Sequence, residues 1–193
     1  MNVLLIDNFD SFTYLLKDYI EQSGGTCTVF RNDVSLDLVN PLAYDALVIS
    51  PGPGTPFEAG NTMEILSLTA DKMPILGVCL GHQAIGVFYG ANLCNGLKPM
   101  HGKVSLIQHN DDELFLDLPT PFKATRYHSL VIKELPVCLN QIATSADDNE
   151  VMAISHKELP IYGIQFHPES CLSEGGLTLI QNFLGLASLS KQG

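Results

Sequence analysis

The sequence predicts an α/β fold: an open mixed, mainly parallel sheet flanked by helices, with antiparallel strands added in the C-terminal half. Three observations predict it. The first half alternates short apolar runs with segments of helical period, the pattern of strands joined by crossover helices. The second half instead strings together short strand-like runs with turn residues between them. With 193 residues, 46% hydrophobic and 16% charged, the chain can bury a substantial core, and it is expected to form one domain over residues 1–193.

Residues 3–6 are a short apolar run ending in Asp7 and read as the first strand. Phe12, Leu15, Leu16, Tyr19 and Ile20 follow at helical offsets and form one apolar face. Asp10 or Ser11 can cap the start of this helix, and Gly24 can end it. Residues 26–30 read as a second strand, and residues 45–50 as a third that leads into a Pro/Gly loop. Residues 62–70 have helical character, residues 74–78 form a fourth strand, and a helix opens after Cys79. Leu47-Val48-Ile49 and Ile75-Leu76-Gly77-Val78 are near-continuous apolar runs, as strands covered on both faces require. Residues 104–107, 122–126, 130–133, 141–144, 151–155 and 161–166 are expected to extend the sheet as antiparallel hairpins. Leu177, Ile180, Phe183, Leu184 and Ala187 mark a closing amphipathic helix.

Charge and composition narrow the function classes. Twenty-one acidic residues against 10 basic ones give a net charge of −11, which repels a phosphate backbone and an anionic membrane. Neither nucleic acid nor membrane is therefore expected as a partner. No apolar run approaches the roughly 18 residues of a membrane-spanning helix. The N-terminal residues lack the basic segment of a signal peptide. Five widely spaced cysteines, Cys27, Cys79, Cys94, Cys138 and Cys171, contain no C-x-x-C pair. That pattern fits reduced thiols in a cytoplasmic setting better than a disulfide framework or a structural zinc.

Three segments carry chemistry. Gly77-Val78-Cys79-Leu80-Gly81-His82-Gln83 follows an apolar strand and opens a helix. A nucleophile in G-x-nucleophile-x-G sits on a strained turn, so its neighbours two positions away must be small. The helix N-terminus favours thiolate over thiol there. A buried structural cysteine is the plainer alternative, and it is the default for the other four. His167-Pro168-Glu169 supplies a candidate base and the group that orients it, since i and i+2 share one side of an extended segment. Pro168 favours that extended geometry at His167. Alone, the tripeptide is equally compatible with a surface loop. Ser50-Pro51-Gly52-Pro53-Gly54-Thr55-Pro56 leaves the third strand at the edge of the sheet where the elbow lies. A rigid loop of this kind can complete an oxyanion hole with the Leu80 N–H, or be an ordinary tight turn. The six histidines show no H-E-x-x-H or similar metal-ligand spacing, so no metal site is expected.

Together these segments resemble the class I (triad-type) glutamine amidotransferases. Asp7-Asn8-Phe9-Asp10-Ser11-Phe12-Thr13-Tyr14, Met100-His101-Gly102-Lys103 and Arg126-Tyr127-His128-Ser129-Leu130 narrow the resemblance to the small subunits of anthranilate synthase and aminodeoxychorismate synthase. The similarity runs from residue 3 to about residue 185. Leu15 stands where Asn is expected after the Thr-Tyr pair, and Ala91 replaces a second Gly after Gly90. The resemblance implies a flavodoxin-like amidotransferase fold with Cys79, His167 and Glu169 as catalytic triad. It places Gly52, Pro53, Gly54, Leu80, Gln83, Ser129 and Leu130 at the oxyanion hole and the substrate, L-glutamine. It turns Met100, His101, Gly102 and Lys103 toward a chorismate-binding synthase subunit. It implies no cofactor in this chain, with Mg2+ expected in the partner synthase. No fused synthase or transferase domain is expected, so amination of the acceptor falls to that separate subunit. Two other readings stay open: a stand-alone cysteine hydrolase of another γ-glutamyl amide, and a regulatory subunit without catalysis.

Overall fold

The structure is a computed structural model that describes residues 1–190; the last three residues of the expected 1–193 domain lie outside the described residues. Strands β1 (Asn2–Asp7), β2 (Thr26–Arg31), β3 (Ala46–Ile49) and β4 (Ile75–Val78) alternate with helices α1 (Thr13–Gln22), α2 (Leu36–Val39) and α3 (Thr62–Thr69). Helix α4 (Leu80–Tyr89) follows β4 directly. The second half contains β5 (Asn92–Asn95), β6 (Lys103–His109), β7 (Phe122–Arg126), β8 (Leu130–Lys133), β9 (Leu139–Ser145), β10 (Val151–His156) and β11 (Ile161–Ile164). Helix α5 (Gly176–Leu189) closes the chain.

Among the described residues nine strands form one sheet in the order β2-β1-β3-β4-β11-β10-β9-β6-β7. The β2-β1-β3-β4-β11 portion is parallel, and every pairing from β11 to β7 is antiparallel. This is the expected mixed sheet. Residues 130–133 depart from expectation and do not join the main sheet. As β8 they pair with β5 in a separate two-stranded ribbon, Leu130 opposite Asn95 and Lys133 opposite Asn92.

The central strands alternate their side chains between two cores. Val3 and Leu5 join Leu16 and Ile20 of α1 and Leu179, Ile180 and Phe183 of α5 on one face. Leu4 and Ile6 join Ile65 and Leu66 of α3 and Ala84 and Ile85 of α4 on the other. Burial on both faces explains why these strands lack polar alternation. Neither Asp10 nor Ser11 caps α1: its N-cap residue is Phe12, without a side-chain cap, and Asp10 Oδ1 accepts the Phe12 N–H at 2.8 Å in the turn before the helix. Gly24, at φ 86°, follows its end. Among the described residues no helix is long and apolar enough to cross a membrane. The loops after β1, β3, β4 and β11 all emerge at the carboxyl edge of the parallel strands, where open α/β sheets place their sites.

Candidate active site

Cys79 forms the turn between β4 and α4, with φ 51° and ψ −98°. A side chain at this positive φ costs roughly 1–3 kcal/mol, which the surroundings must impose. They do so through backbone contacts that only glycine permits. A β-carbon on Gly77 would lie 2.3 Å from the Gly81 carbonyl oxygen, and one on Gly81 would lie 2.4 Å from that of Ile49. The Cys79 N–H donates to the Ile164 carbonyl at 2.8 Å, which ties the elbow to β11. The thiol is nearly buried; the Gln165 amide Nε2 donates toward Sγ from 3.6 Å, and the Tyr127 carbonyl lies 3.9 Å away.

His167 reaches the elbow by a route that differs from the predicted strand. The sequence predicts a continuous strand over residues 161–166, but β11 ends at Ile164. Gln165 then bonds to Met152, and His167 bridges to Thr125 of β7, its N–H donating to the Thr125 carbonyl at 2.9 Å. His167 Nδ1 lies 2.6 Å from Glu169 Oε1. Both side chains are buried, and among the described residues neither His167 Nε2 nor Glu169 Oε2 has a hydrogen-bond partner. Burial works against a charged imidazole, but the Cys79 thiol and Glu169 outweigh it and hold the His167 pKa up to about 10. Nδ1–H therefore points at the Glu169 carboxylate, which leaves Nε2 as the nitrogen for proton exchange with the thiol and the substrate. Phe12 and Tyr127 pack edgewise on the ring at centroid distances of 5.8 and 5.1 Å. His101 contacts the same Tyr127 at 5.9 Å.

A cavity of about 210 Å³ opens on the thiol. Gly52, Pro53, Gly54, Gln83, Ser129 and Leu130 line it with Cys79. Tyr127 and His128 complete the lining. Leu80 does not line it: its side chain is buried in the core, which leaves only its backbone at the start of α4 for the expected role. The 52–54 loop is fixed from beneath by Asn8. Asn8 Nδ2 donates to the Ser50 carbonyl at 2.9 Å, and its Oδ1 accepts from Asn32 Nδ2 and Thr62 Oγ1. A β-carbon on Gly52 would lie 2.6 Å from the Asn8 carbonyl oxygen. On the far side, Thr55 and Glu58 form a capping box.

The 100–103 segment splits. Met100 is buried, with its N–H bonded to the His128 carbonyl at 2.8 Å, so it does not present surface to a partner. His101 and Lys103 are exposed and Gly102 is half-buried. Sequence reasoning missed Asn8 and Gln165 as site residues. Gln165 had a signal: it is a polar residue in an apolar run, two positions before His167. His82 packs against Gly163, and burial pushes its pKa to about 3, so it is neutral. Among the described residues no group of three or more His, Cys, Asp or Glu is placed to hold a metal ion.

The family model for class-I glutamine amidotransferases matches residues 4–186. The chain belongs to the class-I glutamine amidotransferases. Within this amidotransferase family, it is 48% identical to the anthranilate synthase component 2 of Thermus thermophilus, over 95% of this chain and 92% of that one. It is 46% identical to the aminodeoxychorismate synthase component 2 of Escherichia coli, over 94% and 98% respectively. A crystal structure from Thermoplasma acidophilum, described as that of a GMP synthase subunit, superposes with a TM-score of 0.88 at 26% identity, covering 100% of this chain and 96% of that one. This amidotransferase thus has relatives named for two different synthases at nearly equal identity.

Proposed function

We propose that this chain is the glutaminase subunit of a chorismate-using synthase, releasing ammonia from L-glutamine through Cys79, His167 and Glu169. The single observation that carries the reading is the buried constellation at the elbow: a strained cysteine, the His167 imidazole and the Glu169 carboxylate 2.6 Å from its Nδ1. The Cys79 sulfur attacks the side-chain amide carbon of glutamine. Backbone N–H groups of Leu80 and the 52–54 loop hold the oxyanion, each such donor being worth roughly 3–4 kcal/mol of barrier. His167 gives the Nε2 proton to the departing nitrogen, which leaves as ammonia and generates a γ-glutamyl thioester. His167 then takes a proton from water, hydroxide attacks the thioester, and glutamate leaves with Cys79 restored. Acid–base help of this kind contributes about 10²–10⁴-fold in rate. These steps need no metal or organic cofactor in this chain, and Mg2+ belongs to the expected partner.

Ammonia free in neutral water becomes mostly ammonium, a poor nucleophile. That chemistry favours a docked acceptor subunit, component I, with a protected path between the two sites. The exposed His101 and Lys103 belong to the surface expected to meet it. The relatives' names support an acceptor site for chorismate, giving anthranilate, 4-amino-4-deoxychorismate or both. The reduced cysteines support a cytoplasmic setting.

Reconstitution tests the proposal. The protein is mixed with each of the two candidate chorismate synthases and glutamine, and the aminated product is measured. Product with at least one is expected, and the glutaminase rate should rise when that synthase binds chorismate, by ordering the 52–54 loop. Equal rates with and without the loaded synthase would remove the coupling. Glutaminase activity without any synthase, and no product with either, would favour the stand-alone hydrolase.

A further inference from the structure

The Arg126-Tyr127-His128-Ser129-Leu130 segment contains a buried charge that the reaction above does not use. Arg126 is 1% exposed. Its Nη1 pairs with Asp148 at 3.0 Å and donates to Ser145 Oγ at 3.0 Å and Ser105 Oγ at 3.3 Å. Burial opposes ionisation of Asp148, but the guanidinium outweighs it and holds the carboxyl below its ordinary value. A buried ion pair of this kind is a weak source of stability, because well-packed apolar residues commonly do as well. What an apolar residue cannot supply is a directed donor.

That donor is Arg126 Nε, which donates to His128 Nε2 at 3.0 Å. A guanidinium only donates, so His128 Nε2 must be the acceptor and the ring proton must sit on Nδ1. Burial and the neighbouring Arg126 charge push the His128 pKa down to about 4, which keeps the ring neutral. Nδ1 lies 3.1 Å from the Leu130 carbonyl and therefore donates to it. The same carbonyl accepts from Gln83 Nε2 at 3.0 Å. Gln83 Nε2 also reaches Gln165 Oε1 at 3.1 Å, and Gln165 Nε2 meets the Cys79 sulfur. A continuous chain of hydrogen bonds thus joins the buried ion pair to the thiol along the cavity wall.

We propose that Arg126 is a positioning residue for glutamine binding. It fixes the tautomer of His128, which holds the Leu130 carbonyl and, through it, the Gln83 amide at the wall of the cavity. Without the Nε donor, the neutral ring can place its proton on Nε2. The Nδ1 lone pair then opposes the Leu130 carbonyl, and the wall loses its fixed shape. This inference rests on the reading of the cavity as a glutamine site.

Arg126→Lys keeps a positive charge opposite Asp148 and removes the Nε donor. In the complex with the synthase partner, the KM for glutamine should rise roughly 10- to 100-fold, the range for a hydrogen bond to a charged group. The kcat should stay within about threefold, because Arg126 bonds to His128, Ser105, Ser145 and Asp148 rather than to the Cys79 and His167 side chains. Iodoacetamide, which needs no binding wall, should alkylate Cys79 at the wild-type rate. In a His128→Ala background, Arg126→Lys should add no further rise in KM, because its action passes through His128. An unchanged KM, or independent effects in the double variant, overturns the proposal. A parallel loss of kcat and melting temperature assigns Arg126 a structural role and overturns it as well. Should the variant fail to fold, nitrogen-15 NMR of the wild-type complex decides: the proposal requires the His128 proton on Nδ1 at pH 7, and an Nε2–H tautomer ends it. If the wild-type complex releases no ammonia from glutamine, the cavity reading falls and takes this inference with it. If it does and Arg126→Lys keeps the wild-type KM, only the positioning role falls.

Discussion

Replacing Gly77 with alanine tests whether the elbow geometry, and not merely the presence of a thiol, makes the site. The added β-carbon would lie 2.3 Å from the Gly81 carbonyl oxygen, 2.4 Å from its carbonyl carbon and 2.7 Å from the His82 nitrogen. Comfortable contacts are about 3.5 Å or more, so the main chain must give by about 1 Å. No rotamer change relieves this, because all three atoms belong to the first turn of α4. Forced overpacking of this kind costs about 1–3 kcal/mol. For a chain of this size that is a fall of roughly 2–12 °C in melting temperature. The functional loss should be larger in proportion. Displacing a reacting group by about 1 Å typically costs around 100-fold in rate, and the same shift moves Cys79 relative to His167. Gly185→Ala is the internal comparison: it lies within α5 with nothing within 4 Å of its β-carbon position. That change should raise stability by about 0.5–1 kcal/mol through helix propensity and leave activity unchanged. The assay is calorimetry together with glutamine-dependent ammonia release in the synthase complex. A Gly77→Ala protein with wild-type melting temperature and kcat would refute the elbow argument.

Four further outcomes follow from the same structure. His82 and His128 are held down to about 3 and about 4, so the unfolded chain binds protons before the folded one does. Stability should fall as pH drops from about 6.5 toward 4, with a combined slope of up to about 2.7 kcal/mol per pH unit, read from urea midpoints; higher stability at pH 5 than at pH 7 would contradict this. His167 acts in the opposite sense: raised to about 10, its contribution is complete below about pH 6.5 and is lost as pH rises through 10. Glu169→Gln removes one of the two partners that raise it, so its NMR-titrated pKa should drop; a value unmoved from wild type would count against the pair. Asn8→Ala strands the Ser50 carbonyl, Asn32 and Thr62, and should cost about 2 kcal/mol or more while lowering kcat through a loosened 52–54 loop. Wild-type kcat in that variant would show that the loop is set elsewhere.

Local patterns were legible in the sequence, and long-range pairings were not. The parallel strands announced themselves because burial on both faces leaves continuous apolar runs. The elbow did so because its glycines obey a steric rule within five residues. The β5–β8 ribbon was hidden by the two asparagines of Asn92-Leu93-Cys94-Asn95, which are poor strand formers, and by a partner nearly forty positions away. Helix α2 spans four residues, too few to display a period. Strand β11 stops at Ile164 because His167 finds its backbone partner on β7, a tertiary choice that alternation along residues 161–166 does not reveal. The same limit applies to the site. Cys79, His167 and Glu169 sit in recognisable motifs, whereas Gln165 meets the thiol across 86 positions and Asn8 reaches Ser50 across 42. Arg126 stood inside a motif, but its value as a donor depends on Asp148, Ser145 and Ser105. The resemblance placed Met100 with residues 101–103 on a partner-facing segment, yet its apolar side chain turns inward.

Cys79 remains the centre of the account, and one substitution addresses it most directly. Five free thiols are present, and burial pushes Cys27, for one, up to about 11. Cys79→Ala is made in the reconstituted synthase complex, and aminated product is measured with glutamine and, separately, with ammonium salts at alkaline pH. Loss of glutamine-dependent product with full retention of ammonia-dependent product is the predicted result. Glutamine-dependent product from the Cys79→Ala complex would contradict the assignment of Cys79 as the nucleophile.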